Sequence, residues 1–264
     1  MPARATKMTD RKDYLALSLM ALLVLCFGGE MVWGDKVPFF RDLGTYFYPM
    51  RFSVAESFKA GELPLWDRHV AMGYPLLADF QSGVFYPPAV LYLILPFFAA
   101  IRATFLFHYY IASAGTYLLF RAWRYPSYLA VIAGILFTLG GTMVSLTNLL
   151  NHFQTAVWLP WAILFAHKLL RERSWKNFLL LTTTLTVQFL AGSPEVYIMT
   201  QALVLLYGLS AAEGPVGAGK FILTLAGADL IVAGLSMAQI SQAGLCFSIS
   251  QRRSRQKPNT AFVG

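Results

Sequence analysis

Val84-Phe85-Tyr86-Pro87-Pro88-Ala89-Val90-Leu91-Tyr92-Leu93-Ile94-Leu95-Pro96-Phe97-Phe98-Ala99 is the stretch on which the fold turns. It is apolar, but Pro87, Pro88 and Pro96 leave no clean run near the ~20 residues that a bilayer crossing requires. Whether it crosses decides which face every later loop occupies. If it crossed, Arg121, Arg124 and the cluster Lys168, Arg171, Arg173 and Lys176 would lie outside, against the preference of Lys and Arg for cytoplasmic loops. It therefore reads as a re-entrant or interfacial helix.

The rest of the chain makes lipid the relevant solvent. Of 264 residues, 57% are hydrophobic and 13% charged, with a mean hydropathy of +0.55; soluble domains carry about 25% charged residues. The first apolar run, Tyr14 to Trp33, is too long for a signal-peptide core of about 7–15 residues and lacks a cleavage site, so it reads as an uncleaved span with residues 1–13 as a cytoplasmic tail. Further spans are expected at Ile101–Phe120, Pro126–Thr147, Phe153–Leu170, Asn177–Gly192, Val196–Ala212 and Phe221–Gln239. The fold class is all-α: a polytopic transmembrane helical bundle. Transmembrane helix 1 occupies 14–33, a large extracytoplasmic loop 34–100, and helices 2–7 fill 101–239.

A formal charge of +8 raises the question of nucleic acid. The 21 Lys and Arg fall mainly in short segments between spans, from Arg4, Lys7, Arg11 and Lys12 onward, with no aromatic-interleaved groove, so they report topology and no nucleic-acid partner is expected. Cys26 and Cys246 offer neither a disulfide framework nor metal spacing.

The loop carries six of the thirteen acids: Asp35, Asp42, Glu56, Glu62, Asp67 and Asp79. Pro49–Ala60 reads as a short amphipathic helix whose face Met50, Val54 and Phe58 is expected to lie on the bilayer surface. Asp42, in Arg41-Asp42-Leu43-Gly44-Thr45-Tyr46, follows the first span closely. It is placed to act as a general base on an acceptor hydroxyl or to hold a divalent metal against a phosphate; the plain alternative is a solvated acid paired with Arg41.

Gly61-Glu62-Leu63-Pro64-Leu65-Trp66, then Gly73-Tyr74-Pro75-Leu76-Leu77-Ala78-Asp79-Phe80-Gln81-Ser82-Gly83-Val84-Phe85-Tyr86-Pro87-Pro88, resembles the YfhO-like family of bacterial membrane proteins. Trp158-Leu159-Pro160-Trp161 and Ala191-Gly192-Ser193-Pro194-Glu195 extend the likeness over about residues 35–238. That family is itself similar to the GT-C glycosyltransferases, which take sugars from polyprenyl-phosphate carriers on the outer face of the membrane. The resemblance implies a multi-pass protein of the bacterial inner membrane with its N-terminus cytoplasmic. Its partners would be membrane lipid and a polyprenyl-phosphate sugar, its acceptor a component of the cell envelope, and a divalent metal an allowed cofactor.

The resemblance makes Asp42 the first candidate for the catalytic base and Asp79 the second, although Phe80 stands where the family pattern has Pro. Arg41, Tyr46, Gln81, Arg102, His152 and Glu195 are the substrate-binding candidates. Several have plainer readings. Gln81 suits a turn, Arg102 suits snorkelling to the interface, and His152 beside Asn148 and Asn151 suits hydrogen-bonded packing. Ser193-Pro194-Glu195 departs from the family's Gly-His-Pro-Gln and reads equally as N-cap, first-turn proline and dipole-matched acid.

Asp229, inside the last expected span, is a candidate by its cost there, with Gln188 as a structural partner. Residues 240–264, ending in the basic run Gln251-Arg252-Arg253-Ser254-Arg255-Gln256-Lys257-Pro258, break the charge pattern and read as a truncated or frameshifted end. The rival to glycosyl transfer is a non-catalytic membrane protein for lipid-carrier binding, transport or assembly, or an inactive fragment. In that reading Asp229, Gln188 and Arg102 line a pathway.

Overall fold

The computed structural model describes residues 11–70 and 73–256; for 249–256 only the backbone is described. Most of the expected cytoplasmic tail, including Arg4 and Lys7, and residues 257–264 of the atypical tail lie outside the described residues. Among those described, all regular structure is helical.

The first apolar run forms α1 (Arg11–Phe27) and α2 (Gly29–Trp33), broken at Gly28. A wide π-turn follows at Leu43–Phe47, with the Tyr48 amide bonded to the Leu43 carbonyl. Pro49 lacks the N–H that a regular α-turn would send to Thr45, and the chain turns regular in α3 (Tyr48–Lys59). Met50 and Val54 of α3 are buried in the main core with Phe58 packed beside them, which corrects the expected placement of this face on the bilayer surface. Tertiary packing offered the face a closer apolar partner than lipid.

The proline-rich stretch does not form a crossing helix. Its residues make single turns at Pro87–Val90 and α4 (Leu91–Ile94), and Pro96 then starts α5 (Phe97–Ala122). At 1.5 Å per residue α5 is about 39 Å long and begins four residues before the expected span. Proline tolerates a helix start because no donor is lost there, which is why the boundary moves up to Pro96.

α6 (Ser127–Leu139) and α7 (Gly141–Leu146) share one expected span, divided where Gly140 is extended. α8 (Leu150–Ala156) and α9 (Leu159–Arg171) divide another, at the turn before Pro160. α10 (Trp175–Leu190), α11 (Pro194–Ala211) and α12 (Gly214–Leu235) overlap the last three expected stretches, α12 beginning seven residues and ending four residues before its expected bounds. The chain restarts as α13 (Met237–Gln256), so the change of character near residue 240 falls inside a helix that packs on the turn at Leu76–Ala78.

Among the described residues, two helical stretches, Ser127–Leu146 and Gly214–Leu235, are long and apolar enough to cross a membrane. Leu136, Leu223 and Leu230 on them remain exposed.

Among the described residues, two larger cores organise the helices, with two small clusters beside them. One gathers α3, the proline turns, α5 and α8 around Phe47, Tyr92, Phe105 and Phe153. The other joins α9, α10 and α12 around Leu164, Leu185 and Phe221. A polar tie fixes α1 to α5: Asp13 Oδ1 accepts from Tyr117 Oη at 2.6 Å and Arg121 Nε at 2.8 Å, with Asp13 buried.

Candidate functional site

The loop motif folds around Asp79. Its Oδ2 accepts hydrogen bonds from the Tyr46 hydroxyl at 2.7 Å and the Tyr74 hydroxyl at 2.8 Å, while Oδ1 accepts from the Gln81 amide at 2.8 Å. Tyr74 is held by a two-residue antiparallel bridge with Asp67. Tyr46 comes from the π-turn. Burial first, and then the carboxylate they donate to, push both phenols upward, Tyr74 to about 12. Gln81 thus contributes its backbone to the turn, and no side-chain hydrogen bond of its own is formed.

Behind this cluster lies Arg51, a residue the sequence reading passed over. Its guanidinium is buried, donates to the Ser82 carbonyl, and donates to Gln154 Oε1 at 3.0 Å. Gly83, at φ +56°, leaves room for it: a Cβ there would meet Nη1 at 2.0 Å. Arg51 carries no carboxylate ion pair, and burial lowers its pKa against the pull of the phenols and Asp79 around it. One signal was available in the sequence: Arg51 lies four residues after Phe47, three before Val54 and four before Ala55, on the apolar face of α3.

A second missed group sits alongside. Trp158 Nε1 donates to the Tyr86 hydroxyl at 3.0 Å, and that hydroxyl lies 2.6 Å from His108 Nε2. His108 Nδ1 lies 2.6 Å from the Thr104 carbonyl, which only accepts. Nδ1 therefore carries a proton and donates to that carbonyl, and in the neutral ring Nε2 accepts from the Tyr86 hydroxyl.

The other candidates lie in separate places. His152 and Glu195 stand on either side of the Gly192 turn that meets the motif. His152 Nδ1 lies 3.1 Å from Asn151 Oδ1, Asn151 Nδ2 donates to the Gly192 carbonyl at 3.0 Å, and Gly192 abuts the backbone of Phe80. Ser193 is the residue before α11, but its hydroxyl donates to Glu195 Oε2 at 3.1 Å in place of an expected bond to the helix backbone. The Asp79 carbonyl also accepts from Gln239 Nε2 at 3.4 Å, tying α13 to the motif.

Asp42 and Arg41 stand at the open edge. Asp42 is exposed, starts the π-turn one turn before Tyr46, and forms no side-chain hydrogen bond or ion pair with Arg41. Of the plain reading, the solvated acid is what the structure shows, and the Arg41 pairing is not formed.

Arg102 is self-satisfied: its Nη2 meets Asp35 Oδ1 at 2.8 Å. Asp229 Oδ1 accepts from Tyr197 at 2.7 Å and from Gln201, whereas Gln188 donates to Thr155 and Thr200. This corrects the expected Asp229–Gln188 pairing. Arg102, Gln188 and Asp229 each have their own partners on different elements. Among the described residues no three His, Cys, Asp or Glu side chains gather as metal ligands; Asp79 spends its oxygens on phenols and an amide.

No family model matches the chain, and no curated protein or solved structure matches it. What the fold and site define is an all-helical protein with two stretches fit to cross a membrane and an ordered acid-and-phenol loop.

Proposed function

We propose that the chain is a multi-pass inner-membrane protein of the GT-C kind. It would transfer a sugar from a polyprenyl-phosphate carrier to a cell-envelope acceptor, with the loop at 34–100 on the outer face. The quoted motifs of the loop, which resemble the YfhO-like family, give the reaction class. The exposed, unpaired carboxylate of Asp42, one turn from a Tyr46 locked onto Asp79, is the observation that carries the site.

The two aspartates take different roles in this reading. Asp42 has both oxygens free and accepts the proton of the acceptor hydroxyl. The acceptor oxygen then bonds to the sugar's anomeric carbon as the bond from that carbon to the carrier phosphate oxygen breaks. The polyprenyl phosphate leaves with the electron pair. Arg41, exposed and without an ion pair, is the cation next to Asp42 able to take that phosphate. Asp79, already accepting three hydrogen bonds, holds Tyr46 and Tyr74 as a polar wall for the sugar. His152 and Glu195 extend that wall.

The test is transfer in membranes supplied with labelled polyprenyl-phosphate sugar, comparing the wild-type chain with Asp42→Ala and Asp42→Asn. Both variants should insert normally, and loss of a general base should lower turnover by about 10²–10⁴-fold. Transfer at the wild-type rate by either one refutes the role of Asp42.

A further inference from the structure

A groove lies between the α9–α10 turn and α12, with a volume of about 610 Å³, in the ~300–1,000 Å³ range of ligand sites. It is remote from the aspartates. α10 begins at Trp175 on the groove and ends near Phe189, whose ring packs 5.7 Å from Phe80, so most of its ~24 Å length separates the two.

The floor is apolar, formed by Leu169, Phe178 and Phe221, with Leu223 exposed at the rim. Arg173 and Lys220 line it as well; both are exposed, and neither forms an ion pair. None of the residues lining the groove is acidic. Trp175 is exposed and stacks on Phe178 at 5.1 Å, the disposition of an indole at headgroup depth.

We propose that this groove binds one anionic phospholipid, an acyl chain on the apolar floor and the phosphate between Arg173 and Lys220. Two cations without an ion pair, on a lining that holds no acid, attract a headgroup of net negative charge and repel the ammonium of a zwitterionic one. Arg173 lies in the α9–α10 turn and Lys220 in the second turn of α12, at the helix ends this reading assigns to the cytoplasmic side, where anionic lipids and basic pockets between helices meet. This inference rests on the membrane reading and not on glycosyl transfer: loss of lipid binding leaves the Asp42 assay unaffected, and the reverse holds too.

The test is native mass spectrometry of the full chain in nonionic detergent, titrated with dioleoylphosphatidylglycerol or dioleoylphosphatidylcholine. The wild type should retain one phosphatidylglycerol in preference to phosphatidylcholine. The double variant Arg173→Gln/Lys220→Gln should bind phosphatidylglycerol about thirtyfold more weakly, the factor set by two interfacial cations. Gly227→Leu should also lose it, since Gly227 lines the groove and a Cβ there meets no atom within 4 Å, so the larger side chain fills ligand space. Equal retention of the two lipids, undiminished phosphatidylglycerol binding by either variant, or displacement by inorganic phosphate would each overturn the proposal.

Discussion

The Tyr46 hydroxyl donates to Asp79 Oδ2 at 2.7 Å across 33 residues of chain, and so ties the turn after the first helices to the Leu76–Gly83 motif. Tyr74 donates to the same oxygen at 2.8 Å. One carboxylate thereby orders both edges of the candidate site.

That arrangement predicts an alkaline transition. Only protonated phenols can donate to Asp79. Free tyrosine ionises near pH ~10, whereas folded Tyr74 is pushed up to about 12 by burial and by Asp79, with Tyr46 pushed the same way. Their contribution to stability is complete below about pH 10 and is lost as the pH rises through about 12, because over that window the folded state binds more protons than the unfolded one. Tyrosinate absorbance should report it: Asp79→Asn should move part of the ionisation to lower pH. Superimposable titrations of the two proteins would show that the contact has no energetic weight.

Arg51→Lys should destabilise the protein by about 3 kcal/mol, as for other losses of buried charge-assisted partners. A single ammonium on a shorter reach cannot serve both the Ser82 carbonyl and Gln154 Oε1, which lie on different elements. Thermal unfolding in detergent checks this, and a change within ~0.5 kcal/mol means that the guanidinium is not needed.

Gly192 faces the backbone of the motif at φ +96°, where a Cβ would meet the Phe80 carbonyl oxygen at 2.2 Å. Gly192→Ala should cost about 2 kcal/mol or more, from an unfavourable backbone region and a contact that only a shift of the loop relieves. Gly234→Ala is the control: Gly234 lies within α12 with nothing within 4 Å of its Cβ, and alanine there should be neutral or stabilising by up to about 1 kcal/mol. Similar midpoint shifts for both variants would contradict the packing described.

Glu62 is exposed, and the proposed topology puts it outside. In a cysteine-free background, Glu62→Cys should react with a membrane-impermeant maleimide in intact cells, and Arg173→Cys only after lysis. The reverse pattern would invert the topology and remove the site from the outer face.

The helices were largely legible because apolar run length and proline position are local properties. Pro87, Pro88 and Pro96 forbid a long helix wherever the stretch is packed, and single turns stand there. Asp42 and Asp79 could be picked out from their motifs, but their difference could not. Which carboxylate already accepts hydrogen bonds depends on Tyr46 and Tyr74, and the pairing of Tyr46 with Asp79 is invisible in either segment alone. The expected Asp229–Gln188 pair failed for a related reason: several polar side chains on α10 and α11 competed, and Tyr197 and Gln201 were the ones facing Asp229.

By itself, the sequence determined that this chain is helical and rich in apolar runs, because hydrophobic patterning and proline act over a few residues and need no distant partner. Only the tertiary structure decided that Arg51 is buried under the motif, that the apolar face of α3 belongs to the core, and that Asp42 is free while Asp79 is not. Hydrogen-bond satisfaction and burial are contests among groups that the chain brings together from far apart, and their outcome exists only once it has folded.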